Sequence, residues 1–114
     1  MRAARIFYFD AAHHLPDYQG KCEHVHGHTY RLEVVIASDV GADGMVMDFN
    51  DIKKIVIESI VDRLDHMDLN ELMDNPTAES IASWIWENLS GKLPLSRIRL
   101  WEGDRKWVEK TSED

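Results

Sequence analysis

The chain of 114 residues is 44% hydrophobic and 30% charged, a composition that suits one folded domain, 1–114, and excludes a disordered tail or a fibre. Its 13 Lys and Arg are outnumbered by 21 Asp and Glu, and a net charge of −8 is the wrong sign for gripping phosphate backbones, so no nucleic-acid partner is expected. Cys22 has no second cysteine to bridge to, no apolar run approaches the ~20 residues of a membrane helix, and the opening MRAARIFYFDAAHH turns polar too early for a secretory signal. A cytoplasmic protein without a membrane partner is the expectation.

In chain order, Ala4 to His13 reads as a strand with Phe7, Phe9, Ala11 and His13 on one face and Ile6, Tyr8 and Ala12 on the other. Leu15 to Glu23, with Pro16, Asp17, Gly20 and Lys21, reads as a loop. His26 to Ala37 alternates again, placing His26, His28, Tyr30, Leu32, Val34 and Ile36 together, and a turn over Ser38 to Gly44 ends it. Ile52, Ile55, Val56, Ile60 and Leu64 predict an amphipathic helix capped at Asp48 or Asn50 and ending near Asp65. A second helix starts near Asn75 and runs to a stop at Gly91. Ser96 to Glu102 and Trp107 to Lys110 predict a closing hairpin across Gly103-Asp104.

This order predicts an α+β domain, a four-stranded antiparallel sheet with two helices on one face. Ile6, Tyr8, Val35 and Trp101 then fall on the face that the helices leave bare, which predicts burial in a homo-oligomer.

His26-Gly27-His28 puts two imidazoles on one face of a strand, within reach of a single metal ion. A lone pair spaced this way is more often two half-buried histidines, but His13 shares the parity of Phe7 and Phe9 on a strand able to pair with the second, whereas His14 points away. His24 has the right parity too but lies near the loop and ranks below His13. Three neutral imidazoles with an open fourth position form a catalytic zinc site. Cys22, four residues before His26, would instead close that site if it donated a thiolate. Both alternatives stand at this level, the closed site implying a non-catalytic zinc-binding oligomerisation module.

Asp65-His66 makes an acid/base pair only if the helix has ended, because adjacent helical residues do not face each other. Glu102 shares the parity of Ile98 and Leu100, so its carboxylate is aimed at the apolar side and needs a partner; a ligand with paired N–H donors is one. Trp84 and Trp86, two apart on a helix, read as packing residues.

Six blocks in order, FDAAHHLP (Phe9–Pro16), GKCEHVHGH (Gly20–His28), GMVMDF (Gly44–Phe49), LDHMDLN (Leu64–Asn70), NPTAES (Asn75–Ser80) and Trp101-Glu102, resemble the 6-pyruvoyltetrahydropterin synthase / 6-carboxytetrahydropterin synthase family. The short spacing from Cys22 to His26 is similar to the carboxy branch. The resemblance implies a tunnelling-fold (T-fold) subunit that assembles into an oligomeric barrel, a trimer or hexamer, with active sites between subunits. It implies Zn2+ on His13, His26 and His28, with Cys22 as proton-abstracting thiolate, Asp65 and His66 as its partners, and Glu102, Thr77 and Glu79 around the pterin. The implied reaction converts 7,8-dihydroneopterin triphosphate to 6-carboxytetrahydropterin with loss of acetaldehyde and triphosphate, toward preQ0 and the queuosine or archaeosine tRNA nucleosides; 6-pyruvoyltetrahydropterin synthesis is the near alternative. His14 stands where related sequences often carry arginine.

Overall fold

In a computed structural model, which describes residues 1–16, 20 and 24–114, the sheet is built on two long strands, β1 (Arg2–His13) and β2 (His26–Ala37). They pair antiparallel from Arg2 opposite Ala37 to His13 opposite His26. β2 pairs in turn with β4 (Leu95–Glu102), bringing Tyr30 opposite Glu102, and β4 pairs with β5 (Trp107–Thr111). The strand boundaries follow the alternation of apolar residues: the odd positions of β1 from Phe7 onward and the even positions of β2 from Tyr30 are buried, as period-two patterning requires.

The sheet has five strands, not four. The extra one, β3 (Met67–Asp68), runs parallel to β1 beside Ala11 and Ala12, giving the order β3-β1-β2-β4-β5. Two residues are too few to show an alternation, and their pairing arises from a turn made elsewhere. Asp65 leaves the helix in an extended conformation and His66 adopts a left-handed φ of 59°, which swings the chain back against β1.

Both helices pack on one face. α1 (Phe49–Val56) is capped by Asp48, whose carboxylate accepts the Asn50 N–H at 2.7 Å, and continues through a π-helical turn (Ile57–Val61) into a last turn at Asp62–Leu64. Its fully buried residues Ile52, Val56, Ile60 and Leu64 repeat every fourth position. A four-residue repeat outruns a turn of about 3.6 residues and would wind off the sheet, and the wider π turn carries the row back. α2 (Ala78–Leu89) begins three residues later than its sequence suggests, because Thr77 is the N-cap and accepts the Ser80 N–H at 3.1 Å. Ile81, Ile85 and Leu89 close the core over Leu32, Val34, Ile98 and Leu100. Among the described residues, no helix is long and apolar enough to cross a membrane.

On the bare face, Ile6 and Tyr8 are exposed as expected, but Val35 and Trp101 are buried within the single chain. Trp101 is covered by the Trp107 ring at 5.4 Å and by the Arg31 guanidinium, 4.6 Å above it. Side chains of the neighbouring strands thus shelter Trp101 without a second subunit. Trp84 and Trp86 are half-buried against the core, as packing residues.

Candidate metal centre and active site

His13 and His26 end and begin the two paired strands directly opposite each other, and His28 lies one same-face position further along β2. The sheet alone therefore assembles three rings with centroids 4.6 to 5.0 Å apart. The His13 Nδ1–H donates to the Pro76 carbonyl and the His26 Nδ1–H to the His24 carbonyl, each at 2.7 Å. These bonds fix the tautomers and leave both Nε2 lone pairs facing each other across 3.1 Å. His28 Nε2 is buried and makes no aligned hydrogen bond among the described residues, although Glu102 Oε1 is 3.1 Å away.

Burial lowers the His28 pKa, with the Glu102 carboxylate opposing the shift and the neighbouring His13 and His26 rings adding to it. The Nδ1 protons of His13 and His26 given to carbonyls and the unsatisfied nitrogen of His28 together fit a divalent ion that favours nitrogen donors. His24 contributes its carbonyl, not its ring, to this arrangement. Cys22 lies outside the described residues.

Asp65 and His66 do face each other, since the helix has ended before them: His66 Nδ1 is 3.0 Å from Asp65 Oδ2. Asp65 Oδ1 also accepts the Asp10 N–H at 2.9 Å, and the His66 N–H donates to the Asp10 carbonyl at 2.7 Å. The Asp10 hydrogen bond, with the His66 imidazole, holds the Asp65 carboxyl below the usual carboxylate range. His66 and His28 line one cavity of about 510 Å³, together with Asp10, Thr29 and Asp68.

Glu102 is distant in sequence from Thr77 and Glu79 but lines with them a second cavity of about 270 Å³, together with Leu15, Lys106 and Trp107. Glu102 Oε1 is 3.5 Å from Lys106 Nζ, the cation that compensates its half-buried charge, and 3.1 Å from His28 Nε2. The Thr77 hydroxyl is committed to capping α2 and donates to the Ser80 hydroxyl at 3.0 Å.

Sequence reasoning missed three contributors. Tyr30 is fully buried with its hydroxyl 3.4 Å from His13 Nδ1, and burial, with the Glu102 charge, pushes its pKa up. Its parity with His28 was the available signal. Lys106 was visible as a cation four residues beyond Glu102 across a tight turn. The Pro76 carbonyl carries no sequence signal at all.

Comparison with known proteins agrees with this architecture. The family model described as 6-pyruvoyl tetrahydropterin synthase matches residues 2–113. The chain is 48% identical over 113 residues to the dihydroneopterin monophosphate aldolase of Pyrococcus furiosus, covering 93% of this chain and 96% of that one. It is 43% identical over 90 residues to the 6-carboxy-5,6,7,8-tetrahydropterin synthase of Synechocystis, covering 73% and 70%. The structure of Caenorhabditis elegans 6-pyruvoyl tetrahydropterin synthase superposes with a TM-score of 0.88 at 25% identity, covering 98% of this chain and 95% of that one. A T-fold sheet with paired histidines at its strand ends and a match along nearly the whole sequence identify this chain as a member of the 6-pyruvoyl tetrahydropterin synthase family of pterin-processing enzymes.

Proposed function

We propose that the chain is a zinc-dependent lyase that converts 7,8-dihydroneopterin triphosphate to 6-carboxytetrahydropterin, releasing acetaldehyde and triphosphate. The observation that carries this reading is the cluster of His13, His26 and His28, two of them oriented by Nδ1 bonds to carbonyls, beside Glu102, which lines a cavity with Thr77 and Glu79. Zinc held by His13, His26 and His28 would supply Lewis-acid polarisation of the substrate side-chain oxygens. Glu102 would accept two parallel N–H bonds from the ring. Cys22 would take the carbon-bound proton as a thiolate. His66, held in one tautomer by Asp65, would pass protons at its Nε2 during cleavage of the side chain. Thr77 and Glu79 would border the ring in the same cavity as Glu102.

A homo-oligomer with sites between subunits accords with the exposed Ile6, Tyr8 and Trp107 on and beside the bare sheet face. A cytoplasmic place before preQ0 and the queuosine or archaeosine nucleosides would follow from the product.

A second reading has its own support: an aldolase acting on dihydroneopterin monophosphate, as the Pyrococcus furiosus relative is named. Among the described residues, the cavity holding His28 and His66 is bordered by Asp10 and Asp68 but by no Lys or Arg, which suits a ligand with fewer phosphate charges. In that reaction the 2′-hydroxyl loses its proton and the C1′–C2′ bond breaks. C1′ then takes up a proton, leaving 6-hydroxymethyl-7,8-dihydropterin and glycolaldehyde phosphate. An oxygen-bound proton suits a carboxylate base, and Glu23 follows Cys22 in the sequence.

Zinc-loaded protein incubated with each phosphate ester, with the pterin and the released aldehyde identified by mass, separates the readings. Acetaldehyde with a 6-carboxy pterin supports the first. Glycolaldehyde phosphate from the monophosphate replaces it with the second. A pterin that keeps all three side-chain carbons overturns both.

A further inference from the structure

Residues 65–70 run beside residues 10–14 rung by rung. Asp65 and His66 bond both main-chain groups of Asp10, and Met67 and Asp68 pair in parallel with Ala11 and Ala12. Where that ladder stops, the Asn70 side chain takes its place: Oδ1 accepts the His14 N–H at 2.9 Å and Nδ2 donates to the His14 carbonyl at 3.0 Å. A primary amide presents the same acceptor and donor as a peptide unit, so one side chain satisfies both main-chain groups of a residue just past the strand end. Asn70 is itself anchored. Its N–H donates to Asp68 Oδ1 at 3.0 Å, and its neighbour Leu69 is fully buried.

The residue so held lies between two functional groups. His13 on one side turns its ring into the imidazole cluster, and Leu15 on the other lines the cavity of Glu102. We propose that Asn70 is a positioning residue, whose paired hydrogen bonds to the His14 backbone hold His13 in its metal-binding position and keep that position in register with the ring cavity. This rests on the reading of His13, His26 and His28 as a metal centre.

The test uses the full chain and reads zinc affinity, by competition with a chromophoric chelator, and the visible absorption of the cobalt-loaded protein, neither of which is an activity. Asn70→Ala should weaken zinc binding by about 10-fold or more, the range of lost outer-shell contacts, and shift the cobalt bands. Asn70→Asp keeps the acceptor for the His14 N–H but loses the donor, and should fall between parent and alanine variant; it also serves if Asn70→Ala does not fold. Asn88→Ala removes another amide that bonds on both sides, to Trp84 and Arg63, and should leave zinc affinity and cobalt bands unchanged. Both Asn70 variants binding zinc within twofold of the parent, with the parent's cobalt spectrum, overturns the assignment alone. A parent protein that takes up neither ion overturns the metal-centre reading and this assignment with it.

Discussion

The Nε2 atoms of His13 and His26 stand 3.1 Å apart while each ring gives its Nδ1 proton to a main-chain carbonyl. Two lone pairs turned toward each other at that distance form no hydrogen bond and are relieved by a shared cation. Removing one imidazole should therefore cost more affinity than any outer contact. His26→Ala is expected to bind zinc more than roughly 100-fold more weakly than the parent, beyond the range of outer-shell losses. Isothermal titration of metal-free protein measures this, and affinity retained by the variant would remove His26 from the ligand set.

Metal removal should separate function from folding. The core spans the sheet, α1 and α2 and needs no ion to be buried, so chelation is expected to abolish turnover with little change in far-ultraviolet circular dichroism. Thermal stability should drop by the linkage amount, about 2.7 kcal/mol when free zinc stands at 100 times its dissociation constant. Unfolding on chelation would instead favour the closed, structural site in which Cys22 is the fourth ligand.

Glu102→Gln preserves size but removes the charge that a ring with paired N–H donors would meet. Binding of an unreactive pterin, followed by tryptophan fluorescence, should weaken by roughly 10- to 100-fold, the worth of a charge-assisted hydrogen bond. Zinc affinity should change by less than pterin binding, because Glu102 Oε1 neighbours only one of the three imidazoles, His28, at 3.1 Å. Unchanged pterin binding would detach Glu102 from ring recognition.

Asp65 makes a signed prediction for acid stability. Its carboxyl is held below the ordinary aspartate value, about 3.9, chiefly by the Asp10 N–H and then by His66. A depressed folded-state pKa contributes stability that is fully present above the unfolded value and is lost as pH falls through the folded one. The stability difference between the parent and Asp65→Asn should thus be flat above about pH 5 and shrink below about pH 4. Urea unfolding across that range reads it, and a difference that grows on acidification would contradict the assigned cause.

Leu100 is fully buried on β4 between β2 and β5, facing the helices. Leu100→Ala should destabilise by about 2–5 kcal/mol through lost burial and the cavity left behind. Denaturant unfolding tests this, and a loss under 1 kcal/mol would mean that the core closes around the gap.

Much of this architecture was legible in the order of residues. Alternation located β1 and β2 and put His13, His26 and His28 on one face, and the requirement that a helix end before Asp65 was met. Spacing also found α1, but not its π turn, which depends on what the helix packs against. α2 was placed too early because Pro76 suits a first helical turn, whereas here its carbonyl is spent on His13. Val35 and Trp101 were expected to face water, since parity describes a strand and not the side chains of its neighbours.

By itself the sequence determined which side chains share a face, because strand and helix periods are local properties of the backbone, and its six ordered blocks pointed to the family. Only the tertiary structure decided which lone pairs point inward, that Glu102, Thr77 and Glu79 line one cavity, and that Asn70 extends the ladder past His13. Those relations join residues up to 63 positions apart through main-chain carbonyls and amides, groups that every residue carries alike and that no pattern of side chains can distinguish.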